Sequence, residues 1–391
     1  RALMDGVIQS ARSLTVNAGT GLADPADPMS VITGQNTALA TGKSESGAVV
    51  GAGGKVTTGA EVTGFADVEA LIGLDARVTL TTGATVVDAL SANTANATMR
   101  ADAGAVGGTG STINGTASVG GATLARLDGD ILNAVGVTVQ AQAANDAIAL
   151  SVNINGAVIG AGSGSTLTAT VSELATVEAI VGEEGQAAAT TGNVLVDALS
   201  ANTADANSLA NSGALFSASK MTTEATVAGA TRAIVDGDIV NAANVTVKAH
   251  GANDADAISD GLSVGLAGGG TGLSTTATVT ADAVVEALVG SEPAKTPVMT
   301  TIGGDVLVEA LATNTATATT PGNSGSIIIA LNDLTTNASV GGATRALMDG
   351  VIQSARSLTV NAGTGLADPA DPMSVITGQN TALATGKSES G

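Results

Sequence analysis

Residues 1–47, from Arg1 to Gly47, recur letter for letter at 345–391, from Arg345 to Gly391. The repeating unit is therefore 344 residues long, and a fold that closes on itself as one globule cannot accommodate it without leaving the second copy unplaced. A tandem array can, because each unit then repeats the contacts of the one before it. The chain starts at Arg1 without a Met or a signal-like stretch and stops mid-unit, so it reads as a window on a longer array.

Shorter repeats lie inside the unit. Val119-Gly-Gly-Ala-Thr, Val227-Ala-Gly-Ala-Thr and Val340-Gly-Gly-Ala-Thr each open a module, giving modules at about 1–118, 119–226, 227–339 and 340–391. Each module divides again, since Thr231-Arg232-Ala233-Ile234-Val235 aligns with Val285-Glu286-Ala287-Leu288-Val289. The equivalent positions Glu69, Leu124, Glu178, Arg232, Glu286 and Arg345 are separated by 55, 54, 54, 54 and 59 residues. Such constancy is the mark of a structural ruler. The step from Arg1 to Glu69 is 68 residues, so an inserted loop is expected at about 19–47, and loops are where contacts are commonly specialised.

Within each step the pattern has period two. Thr276, Thr278 and Thr280 alternate with Ala277, Val279 and Ala281, which is strand rather than helix. Breakers such as Gly268-Gly269-Gly270 and Pro321-Gly322-Asn323 fall between these runs. The expected fold is all-β: a parallel β-helix, or β-solenoid, in which equivalent side chains stack at about 4.8 Å. Coils of roughly 18 or 27 residues divide the 54-residue step evenly, which predicts about 90 or 60 Å of axial rise per unit. The alternative is a string of antiparallel β-sandwich domains, with runs such as Ala255–Leu266 and Thr276–Val289 pairing across their Gly-rich loop. That architecture ordinarily anchors its core on Trp or Tyr, and this chain has neither.

Composition narrows the function. The formal charge is −21, from 35 acidic and 14 basic residues, which argues against nucleic acid and anionic membrane surfaces as partners. No apolar run approaches the length of a bilayer span; the longest surrounds Ile327-Ile328-Ile329. With one His, no Cys and only Phe65 and Phe216 as aromatic rings, neither a catalytic triad nor a sugar-stacking groove can be assembled, so no enzyme is expected. His250 reads as a surface residue.

Three sets of residues stand out. Asn93, Asn145, Asn202, Asn253 and Asn314 recur eight residues into the inner strand, with Leu22 in the sixth place. They read as structural turn residues whose amides bond the backbone or a stacked neighbour. Asp128-Gly129-Asp130 and Asp236-Gly237-Asp238, each followed by an apolar pair and then Asn133 or Asn241, read as tight turns. Their carboxylates Asp128, Asp130, Asp236 and Asp238 are the only weak candidates for Ca²⁺, which needs six to eight oxygens. Finally, Glu69, Glu178 and Glu286 interleave with Arg232 and Arg345. On an 18- or 27-residue coil these would lie roughly 10–14 Å apart along the axis, too far for direct ion pairs, so they read as solvated edge charges, with lateral contacts to a neighbouring copy as the functional alternative.

Val235-Asp-Gly-Asp-Ile-Val-Asn-Ala-Ala-Asn-Val-Thr-Val-Lys-Ala249 and Gly304-Asp-Val-Leu-Val-Glu-Ala310, each followed by Asn/Thr/Ala tracts, resemble the arrays of giant bacterial surface proteins of the filamentous-haemagglutinin-like adhesin type. The resemblance spans the whole chain and implies a secreted, right-handed β-helical shaft that holds cells to surfaces or to one another. It carries over no site residue. The expected function is thus the shaft of an extracellular filament or giant cell-surface adhesin. Its partners would be other copies of the same repeat, with cell surface or matrix beyond them. The second expectation is a calcium-dependent adhesive module that binds a glycan or a partner surface.

Overall fold

The computed structural model describes residues 1–19, 36–189, 191–291, 296–364, 367–368, 371–375 and 380–390. Among them every regular element is a β-strand, and the strands form long parallel sheets; the sole antiparallel pair is the short Ala367–Asp368 with Asp371–Val375. The arrangement is consistent with a parallel β-solenoid, and the antiparallel sandwich alternative is overturned. Ala255–Leu266 and Thr276–Val279 are parts of one long strand, Val245–Val279, each paired to the layers above and below rather than to the other.

The chain returns to the same register once every half-module. Thr123–Leu127 pairs in parallel with Val68–Ile72 on one side and Val177–Val181 on the other, so a layer is about 54 residues rather than 18 or 27. Six layers therefore fill one 344-residue unit, from Arg1 to Arg345. At strand spacing the unit rises about 29 Å, well short of the 60–90 Å that shorter coils would give.

One layer shows the path. Two short strands, Thr123–Leu127 and Asp130–Ala134, are followed by the long strand Val137–Ala157 and the return strand Gly160–Val171. The corner within the second short strand is made by Asn133, whose φ of 59° lies in the left-handed region; Asn241 repeats it at 58°. Asn accepts that conformation at lower cost than other side chains bearing a Cβ.

Period-two alternation buries one face of the strands in the inner layers, and among the described residues these faces enclose two large apolar cores and a small cluster of Ala210, Met221 and Leu273. The first lies between the short strands and the start of the long one, with Val137, Val139 and Ala141 beside Leu127 and Ile131. The second lies between the rest of the long strand and the return strand, where Ala147 and Ala149 meet Leu167, Ala169 and Val171. Small residues let these two sheets close up, and the few large ones sit opposite glycine. A Cβ on Gly115 would overlap the Met99 side chain, and one on Gly261 would come within 2.9 Å of Leu273. Interiors at crystalline density need this pairing of large with small, which explains why a chain almost without rings can have a packed core.

Part of the segment expected as an inserted loop is strand. Asn36–Ala48 is a strand paired in register with Thr85–Ala105, and residues 20–35, Leu22 among them, lie outside the described residues. The sixth place in the amide row belongs to Asn36.

Candidate functional site: ladders of amides and charges

Asn93, Asn145, Asn202, Asn253 and Asn314 do not sit at turns. Each lies inside a long strand, in register with the others, and is at most 2% exposed. Their side chains form a continuous ladder along the axis. Nδ2 of Asn36 donates to Oδ1 of Asn93 at 2.8 Å, and the step repeats from Asn93 to Asn145, Asn145 to Asn202, Asn202 to Asn253 and Asn253 to Asn314 at 2.8–2.9 Å. The ladder occupies the boundary between the two apolar cores, where the chain crosses from one to the other. Ser91 and Thr123, 2.6 Å apart, flank it there. An amide is suited to this place because its donor and acceptor match its own copy one strand away.

The charged row is also resolved by the register. Arg1, Glu69, Leu124, Glu178, Arg232, Glu286 and Arg345 occupy successive rungs of one sheet, adjacent rather than two or three layers apart. Arg232 bridges its two neighbours, Nη1 to Glu178 Oε1 at 3.0 Å and Nε to Glu286 Oε2 at 3.1 Å. Arg1 meets Glu69 at 3.1 Å and Arg345 meets Glu286 at 3.9 Å. Leu124 separates Glu69 from Glu178, which would otherwise be like charges directly opposed. These charges satisfy one another within a single chain, so the distance argument that left them as edge charges or lateral contacts is overturned.

A second row on the long strands runs Asp88, Gln140, Asp197, Lys248, Glu309 and Asn361. His250 is not a surface residue. Its side chain is 14% exposed, with Nε2 3.3 Å from Glu309 Oε1, and Asn361 Nδ2 donates to the other carboxylate oxygen at 3.3 Å. The His250 hydrogen bond holds Glu309 below the usual carboxylate range against the opposing effect of burial. Burial pushes Asp88 up to about 6 and raises Asp197 despite His250 and Lys248 nearby. Asp146, Asp205, Asp254 and Asp256 are raised too, first by burial, with mutual repulsion adding to it at Asp205 and Asp256.

The Asp-Gly-Asp carboxylates are engaged by protein donors. Asp128 takes Arg126 Nε at 2.8 Å, and Asp130 lies 3.9 Å from Arg77. Asp236 accepts from the Ser291 backbone at 2.6 Å, and Asp238 from the Val298 backbone at 2.9 Å. Among the described residues no group of three or more His, Asp and Glu side chains is arranged to hold a metal ion. What sequence reasoning missed was the one-layer-per-54 geometry; the signal was present in the charge alternation itself, which makes sense only between adjacent rungs.

Chemically, these rows supply cohesion and register. They bring no nucleophile, base and anion-stabilising donors to a common point. No known protein family, curated protein or solved structure matches the chain.

Proposed function

We propose that the chain is a structural shaft: a segment of β-solenoid from an extracellular filament or giant cell-surface adhesin of the filamentous-haemagglutinin-like kind, built by repeating a layer of about 54 residues. The observation that carries this reading is the uninterrupted amide ladder, which joins every layer from Asn36 to Asn314 through identical bonds. An enzyme or receptor concentrates unlike groups at one place; this chain distributes like groups along a line. A right-handed coil is part of the proposal, since parallel connections overwhelmingly take that hand.

Fibre diffraction from filaments of the native material tests it. A meridional reflection at about 4.8 Å with an axial repeat near 29 Å is expected for six layers per unit. An equatorial 4.8 Å reflection, or material that forms no filament on cells that display it, would overturn the proposal.

A further inference from the structure

Each layer turns from its long strand into its return strand through an uncharged tip: Gly47-Ala-Val-Val-Gly51, Gly104-Ala-Val-Gly-Gly108, Gly156-Ala-Val-Ile-Gly160, Gly213-Ala-Leu-Phe-Ser217, Val264-Gly-Leu-Ala-Gly268 and Gly325-Ser-Ile-Ile-Ile329. The tips stack in line. Gly108 N–H donates to Val50 O at 3.0 Å, Leu215 N–H to Val158 O at 3.0 Å, Phe216 N–H to Ile159 O at 2.9 Å and Ile327 N–H to Leu266 O at 3.3 Å. Their side chains face solvent: Val50 is 83% exposed, Val158 63%, Phe216 57% and Ile327 80%. The result is an apolar ridge that follows the axis through every described layer.

We infer that this ridge is a pairing surface for a second copy of the chain, laid alongside with ridge against ridge. With Val49, Val106, Ile159, Leu266 and Ile328 included, the fractional exposures amount to about 1,000 Å² of exposed surface on apolar residues, backbone included. That exceeds the roughly 300–600 Å² patch typical of a monomer and matches the roughly 800 Å² per partner of a stable interface. A partner must also present apolar groups at strand spacing over the whole length, and another copy does so by construction. Charge points the same way. Two chains of net charge −21 can approach only where carboxylates are absent or neutralised. Of the carboxylates beside the ridge, Glu45 is neutralised by Lys43 and Asp102 by Arg100, each at 2.6 Å, and Lys55 and Lys220 add positive charge close to the tips. A two-fold axis across the ridge makes the contact self-complementary and closed. The inference does not depend on the shaft reading, since two isolated chains would pair.

Sedimentation equilibrium of the 391-residue chain from low to high micromolar concentration tests it. The wild type is expected to dimerise, and the variant Val158→Ser/Phe216→Ser/Ile327→Ser/Ile328→Ser to dissociate roughly a hundredfold more readily, with an unchanged circular dichroism spectrum. Leu74→Ser/Leu174→Ser, exposed apolar residues away from the tips, should associate as the wild type does. A second measurement guards against misfolding of the ridge variant. The chain has no Cys, so Val158→Cys should crosslink into a covalent dimer with a short bis-maleimide, whereas Thr222→Cys, exposed on the return-strand face, should not. A wild type that stays monomeric at every concentration, or pelleting of monomers with phosphatidylcholine vesicles in place of dimerisation, would overturn the inference. So would association that survives in the ridge variant and is abolished by a proline in Thr381–Ser390, which would mean pairing through the open strand edge.

Discussion

Replacing Asn145 with Leu tests the amide ladder at its middle rung. Leu keeps the branched outline of Asn with methyl groups in place of the amide oxygen and nitrogen, so the change opens no cavity and removes the hydrogen bonds. In the wild type Asn145 accepts from Asn93 and donates to Asn202, both at 2.8 Å and both in sites from which water is excluded. The variant strands the Nδ2 donor of Asn93 and the Oδ1 acceptor of Asn202. A buried polar group left without a partner costs about 1–3 kcal/mol, so the two together should remove about 2–6 kcal/mol. Because a stacked array is held by nearest-neighbour terms, the loss should concentrate in the flanking layers. Native-state hydrogen exchange reads it there, as a fall of at least about 30-fold in protection of the amides around residues 93, 145 and 202. Asn36→Leu is the internal standard. It sits at the end rung, is half-buried and strands only the Asn93 acceptor, so it should cost about half as much. Protection within threefold of wild type in the Asn145 variant, or equal losses in the two variants, would refute the reasoning.

Arg232→Glu should cost about 1–3 kcal/mol in urea denaturation, because it sets three carboxylates on adjacent rungs, and the loss should shrink as salt is added. Gly304→Ala should destabilise by about 2–3 kcal/mol, since a Cβ there would overlap the Ala243 carbonyl; an unchanged melting temperature would mean the corner is looser than described. Acidification should stabilise the fold. Asp88, pushed up to about 6, keeps its proton in the folded chain over a range where the unfolded chain has lost it, so stability falls as pH rises between about 4 and 6. Thermal melts should therefore be higher near pH 5 than near pH 7, and Asp88→Asn should flatten part of that slope. The other raised aspartates act in the same direction, whereas Glu309, held low by His250, loses its contribution only at more acid pH.

The alternation Thr276-Ala277-Thr278-Val279 was enough to read strand, and the spacing of Glu69 through Arg345 was enough to read a stack, because both are periodic and periodicity survives in sequence. The size of the layer was not legible from divisibility alone. Folding 54 residues into three short coils or one wide one buries the same small aliphatic residues, and the choice depends on which turns hold. The tip Gly156-Ala-Val-Ile-Gly160 turns the chain, whereas Asn145, which resembles a turn residue, runs through a strand. An Asn in a stack is indistinguishable by composition from an Asn in a loop; only the presence of its copy one strand away separates them. The left-handed Asn133 and Asn241 were visible as the ends of Asp-Gly-Asp phrases, but nothing in a single sequence singles out their backbone angle.

The wide layer has a mechanical consequence. Each layer advances the axis by about 4.8 Å, yet its 54 or so residues drawn straight would span about 180–190 Å. Axial tension on a stack of this kind meets a whole layer of backbone bonds at once, so the rod is stiff until one layer peels. When a layer does let go, it pays out nearly forty times the length it occupied, and the load on its neighbours drops. A tether made this way is short at rest and very long under force, with its slack wound into the thickness of every layer.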